Sequence, residues 1–152
     1  MNILILCTGN SCRSQIAQGW LKTLNPSLNV YSAGTNPQKE VHPLAIKVMK
    51  ESGIDISSQK PKNVDEYLNM DWDYVITVCD DANENCPIFQ GKTKNRLHYS
   101  FDDPSKAEGS EEFIWSEFER ISLEINHIFF FLNEKIIGKN DIRCENTDCP
   151  EF

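Results

Sequence analysis

The feature that most constrains this chain is an apolar run, Ile3-Leu4-Ile5-Leu6, followed by Cys7-Thr8-Gly9-Asn10-Ser11-Cys12-Arg13-Ser14 and then by apolar residues at helical spacing, Ile16, Ala17, Trp20, Leu21 and Leu24. That order reads as strand, tight loop, helix. Gly9 and Asn10 tolerate backbone angles that other residues avoid. A loop of this kind at a helix N-terminus turns backbone N–H groups inward and cradles an oxyanion. Thr8, Gly9, Asn10, Ser11, Cys12, Arg13 and Ser14 are therefore the candidate anion site, with Arg13 adding a two-pronged fork. Cys7 falls at the base of the cradle. The positive field there is expected to lower the thiol pKa and favour the thiolate, which is the nucleophile. Ser14 is placed to give that sulfur a hydroxyl hydrogen bond. A buried structural cysteine beside a surface arginine is the plainer alternative, and the strand-to-helix context argues against it.

The remaining pattern alternates in the same way. Residues 2–6 read as a buried parallel strand and residues 14–24 as the first helix, stopped by Asn25-Pro26. Asn29–Ala33 is a short second strand ended by Gly34, and Pro43–Ser52 is a helix stopped by Gly53. Val64–Met70 has room for one or two helical turns. Asp73–Val78 reads as a third strand, Arg96–Tyr99 as a fourth, and about Glu111–Leu132 as a long amphipathic closing helix. Such alternation predicts an α/β fold, an open parallel sheet with helices on both faces. Ligands of these sheets bind beyond the carboxyl ends of the strands. The Cys7 loop, Cys79 and the Asp102-Asp103-Pro104 loop all fall at that edge.

A chain of 152 residues is expected to form one domain. We read residues 1–137 as a single catalytic domain and the polar 138–152 stretch, with Cys144 and Cys149, as a mobile tail. The formal charge of -8 argues against a general nucleic-acid or anionic-membrane surface, so the anion site must be a local positive pocket. No stretch reads as a leader or a membrane span, and a cytoplasmic monomer is expected. Six cysteines in such a chain point to catalysis or redox chemistry rather than structural bridges. Cys144 and Cys149 lack a second pair for a zinc site, and neither a metal nor another bound cofactor is expected.

Cys79 and Cys86 are separated by a polar stretch, Asp80-Asp81-Ala82-Asn83-Glu84-Asn85. On a continuous helix they would stand about 10.5 Å apart along the axis. A disulfide needs alpha carbons within roughly 7 Å, so pairing would require the stretch to unwind. Two idle thiols on a surface helix are the alternative. Asp103, ahead of Pro104, suits a general acid that protonates an oxygen leaving the bound anion. A simple turn is the plainer reading, and Asp102 is the alternative acid. His42, His98 and His127 are scattered without ligand spacing and read as structural. Trp20, Trp72 and Trp115 read as core or cleft-wall residues.

Three of these segments together carry a family likeness. Cys7–Gln15, Val75–Pro87 with Cys79 and Cys86, and Phe101-Asp102-Asp103-Pro104 resemble the thioredoxin-coupled arsenate reductases, which are built on the low-molecular-weight protein tyrosine phosphatase fold. The likeness runs through about residues 2–132, with the motifs in the family's order. It implies a four-stranded parallel sheet in the order 2-1-3-4. It also implies reduction of arsenate to arsenite by a Cys7, Cys79, Cys86 relay, with Arg13 and Asp103 assisting and thioredoxin as external reductant. Arsenate, phosphate and sulfate would then compete for one pocket. In some of these reductases a glutamate on the first helix helps hold a potassium ion; here that position is Gln18, and the ion is not carried over. Gln15 also fits the reductases, where the phosphatases more often have proline. Two other readings remain: a low-molecular-weight tyrosine phosphatase with redox-regulatory cysteines, and a non-catalytic anion-binding module. Only an arseno-cysteine gives a second and third thiol work to do, since water alone resolves a phosphoryl-cysteine.

Overall fold

In the computed structural model, which describes residues 1–137, the four apolar segments form one parallel sheet. The strands are β1 (Asn2–Cys7), β2 (Asn29–Gly34), β3 (Trp72–Thr77) and β4 (Thr93–His98), in the spatial order β2-β1-β3-β4. The helices are α1 (Arg13–Leu24), α2 (Pro43–Glu51), α3 (Asp80–Glu84) and α4 (Glu111–Leu132). Single 3₁₀ turns occupy Val64–Tyr67 and Pro104–Lys106, and a π-helical turn follows α4 at Asn133–Ile137. The expected tail at 138–152, with Cys144 and Cys149, lies outside the described residues.

Position in the sheet explains how each strand reads. β1 lies between two partners, and Ile3, Leu4, Ile5 and Leu6 are wholly buried, as a central parallel strand requires. β4 is an edge, and its Thr-Lys-Asn-Arg stretch is mostly exposed. It begins three residues earlier than the apolar pattern suggests, because Thr93 pairs with Trp72 at the start of β3. A polar edge of this kind also discourages pairing with other chains.

The closing helix spans the residues that its periodicity predicts. Ser110 caps it by accepting from the Phe113 N–H at 3.1 Å. Its buried stripe, Phe118, Ile121, Ile125, Phe129 and Leu132, packs against α1 and α2. Trp20 of α1 donates its indole N–H to Ser122 of α4 at 3.1 Å, which ties the two helices polar-to-polar as well. Trp72 is core, and Trp115 lies under the Lys47 ammonium. No helix among the described residues is long and apolar enough to cross a membrane.

Candidate active site

Because parallel strands all end on the same side, the three chemically loaded segments converge. Cys7, Arg13, Cys79, Asp81 and Asp103 line one open cleft, with the Gln38–His42 loop as a wall. Lys39 and Lys106 also line it, beside the carboxylates of Glu40, Asp80 and Asp102, so the cleft as a whole is not positive and the anion-binding charge is local to Arg13 and the Cys7 loop.

The loop after β1 is built by disposing of its carbonyl groups. The carbonyls of Cys7, Thr8, Gly9 and Ser11 accept from the N–H groups of Thr35, Asn36, Gln38 and His42, at 2.8–3.2 Å. The Asn10 carbonyl accepts from Gln15 Nε2 at 2.9 Å, and that of Cys12 accepts from the Ile16 N–H. Among the described residues no protein acceptor takes the N–H groups of Gly9, Ser11 or Cys12. Their N–H groups are left without an acceptor inside the loop, the geometry of an anion nest. Asn10 makes the turn with φ of +48°. Its side chain holds that left-handed geometry: Oδ1 accepts from the Lys62 N–H at 2.8 Å and Nδ2 donates to Ser14 Oγ at 2.7 Å. Gly34 lets the loop come close; a Cβ there would meet the Thr8 carbonyl oxygen at 2.4 Å.

Cys7 is buried at the base of this loop. Its sulfur lies 2.8 Å from Ser14 Oγ and accepts from the Asn10 N–H at 3.1 Å. Because Ser14 already accepts from Asn10, its own proton is free to point at the sulfur. These contacts and the Arg13 charge pull the thiol pKa down, but burial outweighs them and pushes it up. The expectation of a lowered pKa is therefore corrected: desolvation at the end of the central strand exceeds the pull of Ser14, Arg13 and the Asn10 N–H. Cys12 is also buried, and desolvation pushes its thiol up to about 12.

The two candidate acids are separated by what they touch. Asp103 faces the cleft: Oδ2 lies 3.4 Å from Arg13 Nη2, while Oδ1 accepts from the backbone and hydroxyl of Ser105. Asp102 also lines the cleft, but it lies away from Arg13 and pairs with α4, with Oδ2 3.1 Å from Arg120 Nη2. Arg13 is held on its other prong by the Phe101 carbonyl at 3.0 Å.

Cys79 follows β3 and caps α3, accepting weakly from the Ala82 N–H at 3.4 Å. It is buried and joined to the Cys7 loop through Thr8, whose hydroxyl oxygen lies 3.5 Å from the Cys79 sulfur. The same hydroxyl donates to Asp81 at 2.7 Å, so toward Cys79 it can only accept. α3 covers five residues and is capped by Asn85, so Cys86 stands just beyond it and partly exposed.

Several residues at the site carry no sequence signal. Asp81 links α3 to the Cys7 loop. Gln59 Nε2 donates to both the side-chain and backbone oxygens of Gln15, bracing the loop from behind. His98, expected to be structural, bridges Thr77 and Asp80 at 2.7 and 2.9 Å and so ties the start of α3 to the sheet. His42 lines the cleft and caps α2, accepting from the Leu44 N–H. Gln18 donates to the Val30 carbonyl and accepts from the Ser32 hydroxyl. Among the described residues no group of three or more His, Cys, Asp or Glu is placed to hold a metal ion.

Known proteins share this architecture. Residues 2–128 match the family described as low molecular weight phosphotyrosine protein phosphatase. The chain is 49% identical to an arsenate reductase of Bacillus licheniformis over 124 residues, 81% of this chain and 88% of that one. A solved arsenate reductase in its phosphate-binding state superposes with a TM-score of 0.76 at 30% identity, covering 89% of this chain and 98% of the other. A thioredoxin-dependent arsenate reductase of Corynebacterium glutamicum superposes with a TM-score of 0.59 at 31% identity, covering 88% of this chain and 62% of that one.

Proposed function

Because this chain belongs to the low molecular weight phosphotyrosine protein phosphatase family, in the company of bacterial arsenate reductases, we propose that it reduces arsenate to arsenite by passing a disulfide from Cys7 outward to Cys86. The observation that carries the reading is the placement of three thiols. Cys7 is buried at the base of the loop, Cys79 is buried beside it across Thr8, and Cys86 is partly exposed, two residues before Ile88, which is 88% exposed.

Arsenate binds through the loop N–H groups and Arg13, and phosphate and sulfate compete for the same donors. Cys7, as thiolate, attacks arsenic, and Asp103 protonates the departing oxygen, which leaves as water. Cys79, as thiolate, attacks the Cys7 sulfur. An S–S bond forms, the S–As bond breaks, and its electron pair stays on arsenic, which departs as arsenite. Cys86 then attacks Cys79, freeing Cys7 and moving the disulfide outward. That step separates the short α3 from its ties to Thr8 and His98. Thioredoxin, a bulky reductant, meets the Cys79–Cys86 disulfide where the chain is accessible, and no bound cofactor takes part.

The test is arsenate-dependent turnover coupled to thioredoxin and its reductase, measured beside hydrolysis of an aryl phosphate. The reading expects sustained coupled turnover with arsenate and weak hydrolysis. Efficient hydrolysis without arsenate turnover would mark a phosphatase whose extra thiols are regulatory.

A further inference from the structure

The relay reading above leaves one nucleophile without a helper. Cys7 has Ser14 and Arg13, and Cys79 has the Ala82 N–H, but Cys86 lies past the end of α3, where those groups do not reach. A different element supplies what is missing. Arg96 of β4 places Nη1 3.8 Å from the Cys86 sulfur. Its guanidinium carbon also stands 5.5 Å from the centre of the Phe89 ring, at cation–π distance. Phe89 is itself buried, and the next residues are pinned, because Gln90 and Gly91 donate to the Leu68 carbonyl at 2.7 and 3.1 Å. The guanidinium is thus seated on a fixed ring and aimed at the one partly exposed thiol among the described residues.

We infer that Arg96 is a positioning residue for the relay: stacked on Phe89, it holds Cys86 and favours its thiolate for attack on the Cys79 sulfur of the Cys7–Cys79 disulfide. In that attack the Cys86–Cys79 bond forms, the Cys7–Cys79 bond breaks, and Cys7 leaves with the electron pair as thiolate. The inference rests on the three-cysteine reading of the site.

The balance of forces gives the direction of the effect. Burial pushes the Cys86 thiol up, and Arg96, by charge and hydrogen bond, is what pulls it down. Removing the charge leaves burial unopposed, so less thiolate forms near neutral pH and attack slows. Arg96 is exposed, so salt should weaken its influence.

The experiment uses the full-length chain with Arg96→Met and Arg96→Lys. Alkylation of Cys86 by iodoacetamide is followed against pH by mass spectrometry of the Cys86-containing peptide. Conversion of the Cys7–Cys79 to the Cys79–Cys86 disulfide is followed after one round of arsenate. Arg96→Met should alkylate several-fold more slowly near pH 7.5, with its pH profile moved upward. It should convert the disulfide several-fold more slowly while releasing the first arsenite at the wild-type rate. Arg96→Lys should recover part of both, and added salt should narrow the gap between wild type and Arg96→Met. An unchanged alkylation profile in Arg96→Met would overturn the inference. A shifted profile in a protein that forms no Cys79–Cys86 bond even as wild type would instead overturn the relay.

Discussion

Arg13 and Asp103 face each other across the mouth of the cleft, with Nη2 3.4 Å from Oδ2, while Nη1 of the same guanidinium donates to the Phe101 carbonyl. The loop that carries the proposed acid therefore also orients the proposed anion fork. An oxyanion in the cradle would sit beside both groups, one binding its charge and one facing the oxygen that must leave. Asp102, one residue away, is committed to Arg120 on α4.

Asp103→Asn should lower turnover by about 10²–10⁴-fold, the usual range for a lost general acid, with oxyanion affinity largely kept. Asp102→Asn should stay near wild type. Steady-state kinetics with phosphate as competing inhibitor separates the two effects, and the opposite ranking would assign the acid to Asp102.

Gly34→Ala should damage the cradle by crowding the loop, at the Thr8 carbonyl first and at Asn10 Cβ, 3.1 Å away, as well. The added methyl would meet the Thr8 carbonyl oxygen at 2.4 Å, and neither backbone can yield easily. Overpacking of this kind costs about 1–3 kcal/mol. Denaturant melts should show that loss, and phosphate titration should show weaker binding because the loop is pushed out of register. A variant with wild-type stability and affinity would mean that the loop relaxes freely.

Alkaline pH should destabilise the protein in part through Cys12. Its thiol is held up at about 12 in the fold, from 9.0 when solvated, so the unfolded chain loses its proton first. The contribution is full below about pH 9 and is lost as pH rises toward the folded value. Urea melts between pH 7.5 and 10.5 should show stability falling, and Cys12→Ala should fall less steeply. Equal slopes would show that Cys12 is not protected from ionisation.

How far a residue's role was legible depended on whether its partners lie nearby in the chain. Cys7, Asn10, Arg13 and Ser14 work within one loop, and their spacing alone located the cradle. Strand ends then brought Cys79 and Asp103 to it, since parallel topology fixes which ends share an edge. Asp81, His98, Gln59 and Lys62 act through contacts 18 to 73 residues distant, and no local pattern marks them. The sign of the Cys7 shift was missed for a related reason: charge can be read from neighbours in sequence, whereas depth of burial depends on β1 being the covered centre of the sheet. The start of β4 escaped because an exposed edge strand needs no apolar alternation.

The relay itself is tested most directly by trapping its disulfides after one round of arsenate, with mass spectrometry of the full-length chain. Cys86→Ser should release a single arsenite and accumulate a Cys7–Cys79 bond. Cys79→Ser should form no such bond. Sustained thioredoxin-linked turnover by Cys86→Ser would contradict the account, because the disulfide would then be reduced without ever moving outward.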